Sequence, residues 1–227
     1  MKLSIIIPVY NEVNTILKII ERVKRINISL EKEIIIIDDA SNDGTKETLE
    51  QLKDPQIEIF YHTANQGKGA AIKTAQEHLT GEVVIIQDAD LEYQPDDYPN
   101  MIKPILDGFA DVVYGSRFLG PHRVFMFWHY CANKFLTLLT NILYNTVLSD
   151  METGFKAFKT DVFKDINIKS RRFNFEPEIT AKVFKQGLKV VEIPITYYGR
   201  SYQEGKKIDW PDAIAAIWAL LKYRLLD

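Results

Sequence analysis

Short, continuously apolar runs alternate along this chain with stretches whose apolar positions recur at helical spacing. Residues 3–9 form a β-rich run closed by Pro8, and beyond Asn11 the positions Val13, Ile16, Leu17, Ile20 and Val23 follow a helical period. The pattern then repeats. A run over 33–38 ends in acid, a loop of turn formers and cap residues follows over 39–45, and a second helix is predicted to about Lys53. A third strand is expected over 57–61, a third helix over 70–79, and a fourth strand at Val83-Val84-Ile85-Ile86. That last run is apolar at every position, as a strand buried on both faces of a parallel sheet requires. Strand and helix in this order predict an α/β fold with a mostly parallel central sheet, helices on both faces and right-handed crossovers.

The fourth strand ends abruptly in Gln87-Asp88-Ala89-Asp90-Leu91-Glu92. Alternation along an extended segment turns Asp88, Asp90 and Glu92 roughly the same way. Hard oxygen ligands so placed suit Mg²⁺ or Mn²⁺, and a divalent metal in turn suits a diphosphate. A bare Asp-x-Asp also reads as a solvated acidic turn, but open α/β sheets bind ligands outside the carboxyl ends of their strands, which is where this one falls. Other strand ends deliver Tyr10-Asn11-Glu12, Asp38-Asp39 and the 65–69 loop to the same edge. Polar loops converging on one place assemble a nucleotide pocket.

Beyond Tyr98 a short helix and a strand over 111–115 lead to Ser116-Arg117. Residues 124–148 are aromatic and aliphatic, interrupted by Asn133, Lys134 and Asn141, and read either as a core helix pair or as helices in a membrane interface. A helix from 173 to about 186 carries Glu176 and Glu178 in its first turn, where capping accounts for one of them. A strand over 189–193 precedes a loop with Arg200, Lys206 and Lys207, and an amphipathic helix follows from Asp209 through Trp210 and Trp218. Without repeats or a linker, residues 1–227 read as a single domain. About 1–118 form a nucleotide-binding half and about 119–227 an acceptor half.

The totals narrow the class. A net charge of −3 argues against a nucleic-acid partner, and a single cysteine, Cys131, excludes an internal disulfide. Cys131 reads as a small apolar residue rather than a nucleophile. The N-terminus runs directly into a strand with no secretion signal, and the longest uninterrupted apolar run, 213–221, is well short of the roughly twenty residues a bilayer span needs. The expectation is a soluble or peripheral protein.

For a bound sugar nucleotide, a metal at Asp88 and Asp90 would neutralise the departing diphosphate, with Arg200 and Lys206 adding charge. Tyr10 and Glu12 would take the base, one by packing and one by hydrogen bonding, with Asp39 completing the pocket. A hydroxyl acceptor needs a general base, for which Asp90, Glu92 and Glu176 are unranked candidates. A phosphate monoester needs none, and Arg117 is where its contact is expected. The segment Asn65-Gln66-Gly67-Lys68-Gly69 lacks the first glycine and the Ser or Thr of a Walker loop. Its glycines predict a close backbone approach, and Lys68 a phosphate contact. His62, His78, His122 and His129 show no metal spacing.

Six motifs in order carry a resemblance: Ile7-Pro8-Val9-Tyr10-Asn11-Glu12, the 38–45 loop, Asn65-Gln66-Gly67-Lys68-Gly69, Asp88-Ala89-Asp90-Leu91, Gly115-Ser116-Arg117, and Asp150 through Thr153-Gly154-Phe155. The chain resembles the family two glycosyltransferases of the glycosyltransferase A fold, the nucleotide-diphospho-sugar transferase type. Among them it resembles most the polyprenyl phosphate enzymes such as dolichyl phosphate mannose synthase. The resemblance implies inverting transfer of a hexose from a UDP- or GDP-sugar to a polyprenyl phosphate at the cytoplasmic face of a membrane. It implies donor binding at Pro8, Tyr10, Glu12, Asp39, Lys68, Asp88, Ala89 and Asp90, with Arg200 and Lys206 on a mobile segment over the diphosphate. Metal ligation falls to Asp88 and Asp90, and acceptor contact to Arg117. Relatives often carry Gln at the place of Glu92, a departure from the family pattern at which a third carboxylate could still ligate metal. The rival within the fold is a sugar-hydroxyl acceptor, as in polysaccharide or glycolipid synthesis, and the rival outside it is a non-catalytic sugar-nucleotide binder.

Overall fold

The computed structural model describes residues 1–172, 174–200 and 210–226. Its elements run β1 (Lys2–Val9), α1 (Ile16–Arg25), β2 (Glu31–Asp38), α2 (Thr45–Glu50), β3 (Ile57–Tyr61), α3 (Lys68–Gln76), β4 (Val83–Ile86), α4 (Tyr98–Leu106), β5 (Val112–Ser116), α5 (Phe127–Tyr144), β6 (Lys156–Lys159), α6 (Thr160–Asp165), α7 (Phe175–Lys185), β7 (Val190–Pro194) and α8 (Trp210–Leu225). They build one seven-stranded sheet in the order β3-β2-β1-β4-β6-β5-β7. All neighbours are parallel except β6, which runs antiparallel to β4 and β5.

The two-sided burial expected of the apolar strands is observed, and it follows the strand period of two. Ile5, Ile34, Ile36 and Ile85 pack into a core with α1 and α4, whereas Ile6, Ile35, Ile37 and Ile86 pack into a second core with α3, α6 and α7. Every position of β4 is buried. The short strand β6 was not expected, and it lies between β4 and β5, so the sheet is mostly but not wholly parallel. Residues 124–148 contain one helix, α5, rather than a pair. Of its residues only Leu136, Thr137 and Thr140 are buried, and α8 packs beside it. Among the described residues, no helix is long and apolar enough to cross a membrane.

Candidate active site

Parallel pairing carries β1, β2 and β4 to a common carboxyl edge, with Val9 opposite Asp38 and Ile6 opposite Ile86. Three non-glycine residues there take left-handed backbone: Asn11 (φ 54°), Ala40 (φ 60°) and Leu91 (φ 65°). Such conformations are uncommon for alanine and leucine and collect at functional sites. The one at Leu91 corrects the alternation expected of the acidic segment. The strand stops at Ile86, the chain turns over 89–92, and the Glu92 amide donates back to Asp90 Oδ1 at 3.1 Å.

Above this edge opens a cavity of about 710 Å³, and every described residue of the predicted site lines it. Lys206 lies outside the described residues. Pro8, Tyr10 and Ala89 contribute wall, while Lys68 and Arg200 are already paired with acids of the site. Lys68 Nζ lies 2.8 Å from both Asp88 Oδ1 and Glu176 Oε1. Burial works against its charge, but Asp88 and Glu176 outweigh it and hold the ammonium above the usual lysine pKa. Arg200 reaches Glu12 through Nη1 at 3.1 Å and Asp90 through Nη2 at 3.0 Å. Burial, then the charges of Glu92 and Asp88, push Asp90 up to about 7 against the pull of Arg200.

Two assignments change in detail. Asp39 lines the cavity, but Oδ1 accepts from His62 Nδ1 at 2.7 Å and from the Gln66 amide at 2.8 Å, and Oδ2 accepts from the Gly67 amide at 2.7 Å. What remains for a nucleobase is the spare capacity of Oδ2, since a carboxylate offers about four lone-pair sites. The glycines of the 65–69 loop serve a protein contact: a side chain on Gly67 would strike the Arg171 carbonyl, and one on Gly69 that of Ser170. Only Lys68 of that loop turns to the charged centre.

Among the described residues, no group of three Asp, Glu, His or Cys side chains is gathered as a ready cage for a metal. Glu92, expected as a third ligand, accepts from Tyr197 Oη at 2.7 Å and from the Arg200 amide at 2.6 Å. It fastens the loop that brings Arg200 over the site. Asp88 and Asp90 still fit Mg²⁺ or Mn²⁺. Both are hard oxygen donors lining the cavity, and Mg²⁺ is commonly held by one or two carboxylates together with substrate phosphates rather than by an all-protein cage.

At the other end Arg117 is buried against Asp150, Nε to Oδ2 and Nη2 to Oδ1, both at 2.7 Å. Its Nη1 has no protein acceptor among the described residues. Asp150 is itself placed by Glu192, whose carboxylate takes the amides of Ser149 and Asp150. Beside Arg117, α5 lines the cavity with Trp128, Ala132 and Leu136 interleaved with His129 and Asn133, and α8 contributes Ala213 and Ala216. Tyr197 joins the two ends, its hydroxyl on Glu92 and its ring 5.4 Å from the Arg117 guanidinium.

Sequence reasoning missed Tyr93, Tyr197 and Glu152, all in the cavity wall. Tyr93 is fixed by a 2.9 Å hydrogen bond from the Gly154 amide and by stacking on Phe155. Only the motif from Asp150 to Phe155 hinted at Glu152, and a motif does not say which of its side chains faces a ligand.

The model of the glycosyl transferase family 2 matches residues 4–167. The chain is 28% identical over 211 residues to a dolichol-phosphate mannosyltransferase of Pyrococcus furiosus, covering 91% of this chain and 59% of that protein. It therefore spans about three fifths of that relative. It is 27% identical over 224 residues to an undecaprenyl-phosphate mannosyltransferase of Micrococcus luteus, covering 91% of this chain and 87% of that one. Among solved structures it resembles glucosyl-3-phosphoglycerate synthase from Mycobacterium tuberculosis in complex with Mn²⁺, UDP and glucosyl-3-phosphoglycerate. The TM-score is 0.76 at 17% identity, over 98% of this chain and 79% of that one. At that identity the likeness establishes the fold, which is the glycosyltransferase A fold. With the family's model matched over most of the chain, this protein belongs to glycosyl transferase family 2.

Proposed function

We propose that this protein moves a hexose from a UDP- or GDP-sugar to a polyprenyl phosphate, with inversion at the anomeric carbon. The observation that carries the reading is the cavity itself. It brings Asp88 and Asp90, Arg117, and apolar side chains of α5 and α8 into one space. The relatives named for dolichol phosphate and undecaprenyl phosphate support the same acceptor class.

In this reading the half up to about residue 118 binds the donor and the remainder the acceptor. Tyr10, Glu12 and Asp39 hold the base, while Lys68 and Arg200 face the diphosphate. A divalent cation at Asp88 and Asp90 would supply neutralisation of the leaving diphosphate. Arg117 Nη1 holds the acceptor phosphate, one of whose oxygens forms the new bond to the anomeric carbon as the bond to the diphosphate breaks. The electron pair leaves with the nucleoside diphosphate, and no proton has to be removed from the nucleophile. That suits the pocket, because each carboxylate considered as a base is engaged: Asp90 by Arg200, Glu92 by Tyr197 and Arg200, Glu176 by Lys68.

The acceptor's tail would enter from a membrane surface. Phe127, Trp128, Phe135, Leu138 and Ile142 of α5 and Trp218 and Leu225 of α8 are exposed, a concentration of apolar side chains suited to peripheral attachment at the cytoplasmic face. The test is transfer by the purified protein with Mn²⁺, offered UDP-glucose or GDP-mannose, with and without a short polyprenyl phosphate. Glycolipid formed only with the lipid phosphate is the expected result. Donor binding without such transfer would hand the function to a hydroxyl acceptor.

A further inference from the structure

The cavity wall holds a carboxyl that neither the Lys68 and Asp88 pairing nor the Arg117 and Asp150 pairing uses. Glu152 lines the cavity, and its Oε1 is buried with no hydrogen-bond partner among the described residues. A buried polar atom without a partner is costly, and its presence in a ligand cavity points to a ligand that completes it. The charged groups acting on Glu152 come from both sides. Glu176 belongs to the Lys68 and Asp88 chain, Arg117 and Asp150 form the acceptor pair, and Lys156 lies at the start of β6. Lys156 is no ion-pair partner, since its Nζ donates to the carbonyls of Met151 and Thr153.

This position has a chemical meaning. In-line displacement keeps leaving group and nucleophile on opposite sides of the reacting carbon, so the sugar in transit lies between the donor diphosphate and the acceptor phosphate. Glu152 shares the cavity with the residues assigned to each and lies within reach of charges from both groups. Burial, then the charge of Glu176, pushes it up to about 8, against Lys156 and Arg117. At neutral pH its carboxyl keeps the proton and is donor as well as acceptor, matching the two-way hydrogen bonding of a sugar hydroxyl.

We infer that Glu152 is a specificity-determining contact to the transferred sugar, its carboxyl hydrogen-bonded to a hydroxyl of the hexose held between the nucleotide diphosphate and Arg117. This rests on the donor-binding reading above. A site built to hydrogen-bond a hydroxyl discriminates strongly against a ligand that lacks it.

The test compares nucleotide-sugar and nucleotide affinities of the full chain with Mn²⁺, using UDP-glucose against UDP and GDP-mannose against GDP. Glu152→Ala is expected to weaken the sugar nucleotide about tenfold and leave the free nucleotide unchanged, as loss of one such contact implies. Glu152→Gln, which keeps a donor and an acceptor, should stay within about twofold at pH 7. Between pH 7 and pH 9 the wild-type affinity for the sugar nucleotide should fall as the proton leaves, while that of Glu152→Gln holds. Equal losses for sugar nucleotide and nucleotide, or none, would overturn the inference. So would a Glu152→Gln that binds normally but no longer transfers, since that marks a general base. A wild-type protein that binds none of the four ligands would instead remove the donor-binding reading, and the inference with it.

Discussion

Arg200 Nη2 stands 3.0 Å from Asp90 Oδ2, so a guanidinium occupies the flank of the carboxylate that the metal reading needs. The same side chain bonds Glu12, and its amide is held by Glu92, so one residue ties together three acids from two strand ends, those of β1 and β4. A cation there competes with any added divalent ion, whereas a diphosphate would draw the guanidinium to itself. Arg200→Met should therefore tighten Mn²⁺ binding in the absence of nucleotide, by roughly tenfold or about 1.4 kcal/mol, and weaken UDP or GDP binding. Titration calorimetry at pH 8 reads both. Unchanged Mn²⁺ affinity would mean that Arg200 does not compete for the cation's carboxylates.

Arg117 and Asp150 form a buried, two-pronged pair, with Asp150 wholly inaccessible. Removing one partner of such a pair strands the other's charge, at about 3–5 kcal/mol. Asp150→Asn should lower the urea midpoint accordingly. Arg117→Lys keeps a charge but loses the fork that holds Asp150. It should raise the KM for the lipid phosphate and leave nucleotide affinity unchanged. A donor affinity that falls with it would show that Arg117 serves the donor end.

The parts legible in the sequence were those set by local pattern. Continuous β-branched runs announced strands buried on both faces, and acids at the ends of β2 and β4 announced the edge where the cavity opens. Tertiary partners were not legible. Lys156-Ala157-Phe158-Lys159 is too short and too charged to read as an inserted strand, yet Lys156 is fully buried with its ammonium on two carbonyls. Glu92 has the composition of a metal ligand, and only the turn at Leu91 and the arrival of Tyr197 give it another role. Glu176 and Glu178 look alike in one helical turn, but Glu176 reaches Lys68 while Glu178 closes the loop before α7.

Glu178 carries a pH prediction. Its carboxylate accepts from the amides of Lys169 and Ser170 and pairs with Lys182 at 2.6 Å. Burial alone would raise it, but Lys182, Ser170 and the Lys169 amide outweigh that and hold it below the ordinary glutamate value of 4.5. A pKa depressed by folding contributes stability that is complete above about 4.5 and is lost as pH falls through the folded value. Glu178→Gln should therefore be less stable than wild type at pH 7 by about 1–3 kcal/mol, the usual worth of hydrogen bonds to a charged group, with the gap narrowing below pH 4.5. Urea unfolding across that range checks it, and a gap that widens in acid would reverse the assignment.

Two glycines separate the site from the fold that carries it. A methyl group on Gly154 would meet Asp88 Oδ2 at 2.6 Å and Lys68 Nζ at 2.9 Å. Both are the far ends of side chains, which swing aside at little cost to the fold but at the expense of the Lys68 and Asp88 pairing. On Gly69 the methyl would meet the Ser170 carbonyl, a backbone atom held by the packing of α3 against the loop before α7. Gly154→Ala should keep its unfolding midpoint within a few degrees and lose at least tenfold in transfer, as expected when a positioned charge is displaced by an ångström or so. Gly69→Ala should lose stability by about 1–3 kcal/mol, the ordinary cost of overpacking a tight contact. Thermal melts and glycolipid yield, measured on both variants, distinguish the two effects. A Gly154→Ala protein that melts normally and transfers at the wild-type rate would show that the position of Asp88 against Lys68 is irrelevant to the reaction.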